Sequence, residues 1–132
     1  MCIFCKIINN EIPSYKIYED EYTLAFLDLS QATKGHTLIV PKKHFANIFE
    51  TPCEELHHIM NSVKVVTEKL KKSLGVENVN ILNNSGTLAG QTVHHLHFHI
   101  IPRYENDNCE LCPSATNPSF DELKNLCDLI NN

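Results

Sequence analysis

The 132-residue chain is long enough for one domain with its own hydrophobic core, and it carries a net charge of −5 at pH 7. That acidic balance argues against a protein that binds nucleic acid through bulk electrostatics, although it leaves room for a local phosphate site. No apolar run approaches the ~18 residues of a membrane span and no secretory signal is recognisable, so we expect a soluble, cytoplasmic protein without a membrane partner.

The first third of the chain predicts a short helix followed by strands. Ile3 to Ile8 is compatible with a single helical turn. Segments rich in β-branched and aromatic residues follow near Tyr15–Glu19, Tyr22–Asp28 and Thr37–Pro41, separated by turn-forming residues. We therefore expect three strands before the middle of the chain.

A long helix is predicted from Pro52 to Leu74. Thr51 can cap it, Pro52 suits its first position and Glu54 completes a capping box. Gly75 is placed to end it. Apolar residues recur along it at spacings of three and four, namely Leu56, Ile59, Met60, Val63, Val66, Leu70 and Leu74.

The rest of the chain adds two strand patterns, near Val79–Asn83 and Val93–Ile101, and a second capping box at Ser119–Glu122 that opens a short helix. Strands interrupted by one long helix indicate an α+β fold with a five-stranded antiparallel sheet, one long helix and short terminal helices.

The last strand pattern is the most informative segment, because His95, His97 and His99 recur in it at a period of two. An extended strand would place the three imidazoles on one face, roughly 6.6 Å apart. The intervening apolar residues would then pack into the core; they are Leu96, Phe98, Ile100 and Ile101. Imidazole suits nucleophilic, acid–base and metal-ligand work near neutral pH.

The run His95-Leu96-His97-Phe98-His99-Ile100-Ile101 resembles the signature of the histidine-triad (HIT) family of nucleotide hydrolases and transferases. Companion motifs stand in the family's order over about residues 2–104: Cys2 to Ile8 with Glu11-Ile12-Pro13, Leu24 to Asp28, Lys34 to His44, and Gly90 to Val93. The early Cys-x-x-Cys resembles the bacterial-type branch. The resemblance implies a single HIT domain over 1–132 with a C-terminal extension at 105–132, and a homodimer in which two sheets join into ten strands.

The resemblance also implies roles for the histidines. His97 matches the family's nucleophile, which becomes nucleotidylated at the α-phosphate and is then released by water. His99 matches the histidine beside the phosphate, and His36 matches one that supports the site. Thr92 matches a hydroxyl that contacts a phosphate oxygen or the leaving-group atom.

Other positions match the family's substrate-binding residues. Asp28 matches the acid that binds the ribose diol, Asn84 a loop amide near the phosphate, and Gln91 a residue of the segment that leads into the triad. Turn chemistry explains Thr92 and Asn84 equally well, since Asn83-Asn84-Ser85-Gly86 would form a tight turn in any case. The apolar slot for the base matches Phe4, Ile7, Ile12, Phe26 and Leu38.

Six cysteines in a chain of this kind are expected to be reduced thiols or metal ligands. A Cys-x-x-Cys pair is a common half of a structural zinc site. The resemblance adds two histidines, giving one zinc per chain on Cys2, Cys5, His44 and His95. A rival four-sulfur site would join the first pair to Cys109 and Cys112, whereas Cys53 and Cys127 are expected to be small buried hydrophobes.

Two functions remain open. The first is an enzyme that cleaves at the α-phosphate of a purine nucleotide, such as a nucleoside phosphoramidate, an adenylylated amine or a dinucleoside polyphosphate, releasing a product such as AMP. The second is a zinc-stabilised nucleotide-binding module that acts through protein partners. Neither common phosphate-binding loop, G-x-x-x-x-G-K or G-x-G-x-x-G, is present, which disfavours ATP-driven phosphotransfer.

Overall fold

The computed structural model describes residues 2–132. In chain order its elements are α1 (Ile3–Ile8), β1 (Lys16–Glu19), β2 (Thr23–Leu27), β3 (Thr37–Pro41), a 3-10 turn (Ile48–Glu50), α2 (Cys53–Leu74), β4 (Val79–Asn83), a second 3-10 turn (Thr87–Ala89), β5 (Phe98–Pro102) and α3 (Phe120–Asn131). The strands form one antiparallel sheet in the order β1-β2-β3-β5-β4. The predicted α+β class and five-stranded sheet are confirmed.

The neighbouring strands β2 and β3 are buried on both faces of the sheet, and their successive side chains alternate between the two faces. Ala25 and Ile39 belong to the main core under α2, where Ile59, Val63, Val66 and Leu70 pack on the sheet. The opposite face contacts α1, and its buried cluster is Phe4, Ile7, Leu24, Phe26, Leu38 and Val40. The sheet is thus a middle layer between a long helix and a short one.

The ends of α2 correct one prediction and confirm another. The helix begins at Cys53, and Pro52 is its cap without any side-chain capping bond. The expected capping box is wrong because the Thr51 hydroxyl instead donates to the Asn47 carbonyl (2.7 Å). At the other end Gly75 adopts φ 69°, a left-handed conformation that glycine accepts readily, and ends the helix as expected.

The triad strand is shorter than predicted, because β5 begins at Phe98 rather than near Val93. Upstream of it the backbone leaves the sheet: the Leu96 amide donates to the Phe45 carbonyl (2.7 Å). The period-two pattern still holds, since Leu96, Phe98 and Ile100 all lie in the core under α2. The expected single strand over 93–101 is therefore wrong only for its first five residues.

After β5 the chain turns on Arg103, whose guanidinium pairs with both carboxylate oxygens of Asp107 (2.9 and 3.1 Å). The predicted capping box then opens α3: the Ser119 hydroxyl accepts from the Glu122 amide (3.2 Å). Every residue of α3 is exposed, including Cys127. Cys53 is exposed as well, so the expectation that these two cysteines are buried is wrong.

None of the helices in residues 2–132 is long and apolar enough to cross a membrane.

Candidate active site and metal centre

A pocket of about 370 Å³ lies on the α1 side of the sheet, and it gathers most of the predicted site. All five residues expected to form the apolar slot line it: Phe4, Ile7, Ile12, Phe26 and Leu38. At its polar end are Asp28, Thr92, His97 and His99. The pocket therefore has one apolar end and one end rich in imidazoles, a shape that suits a ligand with a flat base and a charged group.

The protonation of His97 follows from one hydrogen bond. Its Nδ1 lies 2.8 Å from the His95 carbonyl oxygen, which can only accept, so Nδ1 holds the proton and Nε2 keeps its lone pair. Burial lowers the pKa of His97, with partial offsets from that bond and from the Asp28 charge. The ring packs edge-on against Phe4, 5.1 Å between centroids. His97 is thus held as a neutral imidazole with an unprotonated Nε2.

A second chain of hydrogen bonds sets the proton on His99. The Ala32 amide donates to His36 Nδ1 (3.1 Å), so His36 bears its proton on Nε2. That Nε2 lies 2.9 Å from His99 Nδ1 and donates to it, which leaves the proton of His99 on Nε2. Burial, together with the nearby His97 and His36, lowers the pKa of His99 to about 4. His99 is consequently a neutral N–H donor beside His97, with 5.0 Å between the two rings.

Asp28 accepts the Ser30 amide on Oδ1 (2.8 Å), and its Oδ2 is 3.6 Å from His36 Nε2. The ligand atoms of Asp28, His36 and His99 all lie within 4.8 Å of one another. A metal here is disfavoured, because the Ala32 amide keeps the His36 proton on the nitrogen that would have to coordinate. The carboxylate remains available to a ligand in the pocket.

Three predicted site residues lie outside the pocket wall. His36 is buried behind His99. Asn84 lies beside the backbone of Gly90. Gln91 is buried, accepting from the Gly86 amide (2.8 Å) and donating to the carbonyls of Ala46 (2.7 Å) and Val93 (3.0 Å), so its amide braces the loop before the triad.

Sequence reasoning missed other residues of the site. The Asn83 side chain donates to the His97 carbonyl (3.0 Å) and fixes the backbone of the proposed nucleophile. Ser14 lines the pocket next to Pro13, and Ile3 and Val93 extend its apolar surface. The only available signals were indirect, since Asn83 ends a strand and Ser14 follows the Glu11-Ile12-Pro13 motif.

The predicted zinc ligands converge beside this pocket. His95 Nδ1 lies 3.4 Å from Cys2 Sγ, 3.6 Å from Cys5 Sγ and 3.1 Å from His44 Nδ1, and Cys5 Sγ lies 3.4 Å from His44 Nδ1. Tetrahedral zinc with ordinary bond lengths would separate sulfur from nitrogen by about 3.5 Å and nitrogen from nitrogen by about 3.3 Å. The donor spacing therefore fits a central zinc ion.

The protonation of His95 fits a metal as well. Its Nε2 lies 2.9 Å from the Pro41 carbonyl and donates to it, so Nδ1 has a free lone pair facing the sulfurs. Burial lowers the pKa of His95, which also keeps the ring neutral. Cys109 and Cys112 take no part in this cluster among the described residues, so the rival four-sulfur arrangement is not formed.

Comparisons with known proteins agree with this geometry. The model of the HIT domain family matches residues 9–106. An uncharacterized HIT-like protein of Methanocaldococcus jannaschii is 59% identical over 126 residues, 96% of this chain and 92% of its own. The adenosine 5'-monophosphoramidase of Saccharomyces cerevisiae is 41% identical over 126 residues, 95% of this chain and 77% of its own.

A solved structure shows the same fold. The crystal structure of a Zn-bound histidine triad family protein from Mycobacterium smegmatis superposes with a TM-score of 0.79 at 32% identity, covering 98% of this chain and 96% of that one. The chain belongs to the HIT family.

Proposed function

We propose that this HIT-family enzyme hydrolyses or transfers nucleoside monophosphate groups, cleaving at the α-phosphate of a purine nucleotide. The observation that supports this most directly is the pairing of an unprotonated His97 Nε2 with a neutral His99 N–H at the polar end of the pocket. A nucleophile and a donor side by side are what phosphoryl-centred substitution requires.

In the proposed reaction His97 Nε2 attacks the α-phosphorus and forms a P–N bond while the bond to the leaving group breaks. His99 Nε2–H donates to the leaving atom or to a phosphate oxygen, and His36 keeps His99 in that tautomer. Water then attacks phosphorus and the P–N bond breaks. The proton that water loses goes to solvent and balances the one that the leaving group takes up, and a nucleoside monophosphate leaves with His97 restored. Hydrogen bonding of the His97 Nδ1 to the His95 carbonyl stabilises the positive charge that develops on the ring.

The remaining pocket residues would hold the nucleotide. Asp28 accepts the ribose diol, the apolar end sandwiches the base, and Thr92 at the rim contacts a phosphate oxygen. Asn84 would contact a phosphate oxygen through its side-chain amide, and Gln91 braces the backbone of the loop before the triad. The yeast relative is named an adenosine 5'-monophosphoramidase, which supports an adenosine phosphoramidate as the first substrate to test.

The purified protein should release AMP from adenosine 5'-phosphoramidate with steady-state turnover. Chromatography of the reaction mixture measures the AMP formed. A panel with guanosine 5'-phosphoramidate, lysine adenylylated on its side-chain amine and diadenosine tetraphosphate would define the base and the leaving group. Binding of AMP without turnover of any member of the panel would instead favour the nucleotide-binding module.

One structural zinc per chain is part of the same proposal, supported by the spacing and protonation of Cys2, Cys5, His44 and His95. Bound there, zinc would cross-link the start of α1 to the segment that holds the triad. It would supply rigidity rather than a reacting group, because all four of its positions are filled by protein.

A homodimer is also proposed. The strand β4 is an edge of the sheet, and Ile81 on it and Met60 on α2 are each about half exposed (47% and 48%), as expected of a surface that pairs with a second copy. Sedimentation should give twice the 15.0 kDa mass of the chain. A monomer at all concentrations would remove the ten-stranded sheet from the proposal.

The domain and compartment predictions stand as proposals. The core at about 2–104 and the extension at 105–132 form one HIT domain over 1–132, supported by a family match that ends at 106. No cysteine in residues 2–132 forms a disulfide, which supports a reducing compartment such as the cytoplasm.

A further inference from the structure

The Ser14 side chain differs from the other buried polar side chains in its hydrogen bonding. Its Oγ is the one buried side-chain oxygen or nitrogen in residues 2–132 that has no hydrogen-bond partner in the protein. Buried hydroxyls are nearly always bonded, because leaving one unbonded forfeits its interaction with water. An orphan of this kind requires an explanation, and its position provides one.

Ser14 lies in the wall of the same pocket as Asp28. The Leu27 amide donates to the carbonyl of Tyr15 (3.0 Å), just beyond the Lys16–Phe26 pair of β1 and β2, and continuing this antiparallel register past the strand ends would bring Ser14 opposite Asp28. Both residues line the pocket. Directly opposite residues of an antiparallel pair point to the same face of the sheet. In that register Ser14 faces the same side of the sheet as Asp28, the residue to which the ribose was assigned, and both line the pocket.

We infer that Ser14 is a specificity-determining residue that hydrogen-bonds a sugar hydroxyl of the bound nucleotide. A serine hydroxyl has three staggered positions about its Cα–Cβ bond, and the ligand selects the one that faces the pocket. There Ser14 donates to the sugar oxygen whose own proton goes to Asp28. This inference rests on the proposed function, and it assigns recognition of ribose over deoxyribose to two residues instead of one.

The chemistry of the pair explains why a serine is suited to this position. A carboxylate only accepts, so Asp28 alone satisfies the protons of a diol but leaves its oxygens unpaired. A hydroxyl can donate and accept, and it completes the set without adding charge to a site that must also hold phosphate. Pro13, its neighbour in the chain, and Leu27 also line the pocket, and neither side chain can form a hydrogen bond.

The test is the affinity of the full chain for three ligands, AMP, 2'-deoxy-AMP and 3'-deoxy-AMP, measured by calorimetry on wild type and Ser14→Ala. Loss of one neutral hydrogen bond should weaken AMP binding about three- to tenfold. For the deoxy analogue that lacks the contacted hydroxyl, the same substitution should change the affinity by less than about twofold. The melting temperature of the free variant should stay level or rise, since an unbonded buried hydroxyl has been removed.

Ser73→Ala, a serine-to-alanine change on the exposed surface of α2, is the matched control and should alter none of these affinities. If Ser14→Ala lowered the affinity for all three nucleotides equally, the inference would be wrong, and Ser14 would instead contact the base or maintain the shape of the pocket. Unchanged AMP affinity, or a lower melting temperature with unchanged ratios, would overturn it as well. If the wild type binds none of the three nucleotides, the proposed function itself fails. If the wild type binds them but Ser14→Ala changes all three affinities by the same factor, only the role of Ser14 is wrong and the proposed function survives.

Discussion

Replacing His97 with asparagine should reduce turnover at least ~10³-fold while the affinity for AMP stays near that of wild type. A nucleophile forms its bond to phosphorus only on the way to the transition state. Its loss should therefore lower kcat while the contacts that bind the ground state remain. Asp28 and the apolar end of the pocket remain in place. Asparagine is the appropriate replacement because its amide can still donate to the His95 carbonyl that holds the native ring.

Two measurements separate chemistry from binding in this variant. Steady-state hydrolysis of adenosine 5'-phosphoramidate reports turnover, and calorimetry with AMP reports affinity. A rapid quench with radiolabelled substrate should trap an acid-labile, base-stable adduct on wild type and none on His97→Asn. His94→Asn is the matched control, since His94 is the exposed neighbour of the triad and lies outside the pocket.

Full turnover by His97→Asn would contradict the assignment of the nucleophile. So would an adduct that maps to His99. In the second case the proton positions argued above would have to be reversed, since His99 Nδ1 accepts from His36 and its Nε2 would need to lose its proton to attack.

Much of the fold was predictable because local and tertiary preferences agree. The bounds of α1, β3 and β4 match the sequence patterns, and the alternation along Leu96, Phe98 and Ile100 correctly identified the face that packs under α2. The failures occur where a partner outside the predicted element forms the hydrogen bond. The Thr51 hydroxyl donates to the Asn47 carbonyl in the preceding turn and not to the helix, and the Leu96 amide donates to the Phe45 carbonyl and not to a neighbouring strand.

The site was predictable in composition but not in protonation. Residue types and order pointed to the triad, the apolar slot and the cysteine pair. Which nitrogen of each histidine bears the proton depends on carbonyls and amides at His95, Pro41 and Ala32, and no spacing in the sequence encodes those contacts. Asn83 was missed for the same reason, because it acts through the His97 carbonyl of another segment, and Ser14 because its burial in the pocket wall is a tertiary property.

Removal of the zinc ligands should have the largest effect on stability. Cys2→Ser combined with Cys5→Ser should abolish zinc binding and lower the melting temperature by more than about 10 °C. The size follows from linkage: a metal present at a thousandfold excess over its dissociation constant stabilises the fold by about 4 kcal/mol, and each kcal/mol shifts Tm by a few degrees in a domain of this size. Metal analysis and thermal melts measure both quantities.

Cys109→Ser combined with Cys112→Ser is the matched control, and it should retain one zinc per chain and the wild-type melting temperature. Excess chelator should destabilise wild type and this control equally and leave the Cys2/Cys5 variant unaffected. Zinc that persists in the Cys2/Cys5 variant but is lost from the Cys109/Cys112 variant would move the metal to the second pair.

Loss of zinc should also slow the enzyme, although none of the proposed zinc-coordinating residues contacts the proposed substrate. His95 is both a predicted ligand and the residue whose carbonyl accepts from His97 Nδ1 (2.8 Å), so a looser His95 frees the His97 ring to rotate and to exchange tautomers. We expect the Cys2/Cys5 variant, assayed well below its melting temperature, to lose kcat by about 10- to 100-fold with little change in AMP affinity. A zinc-free variant that keeps its full kcat would show that the Pro41 contact alone is enough to hold His95 in place.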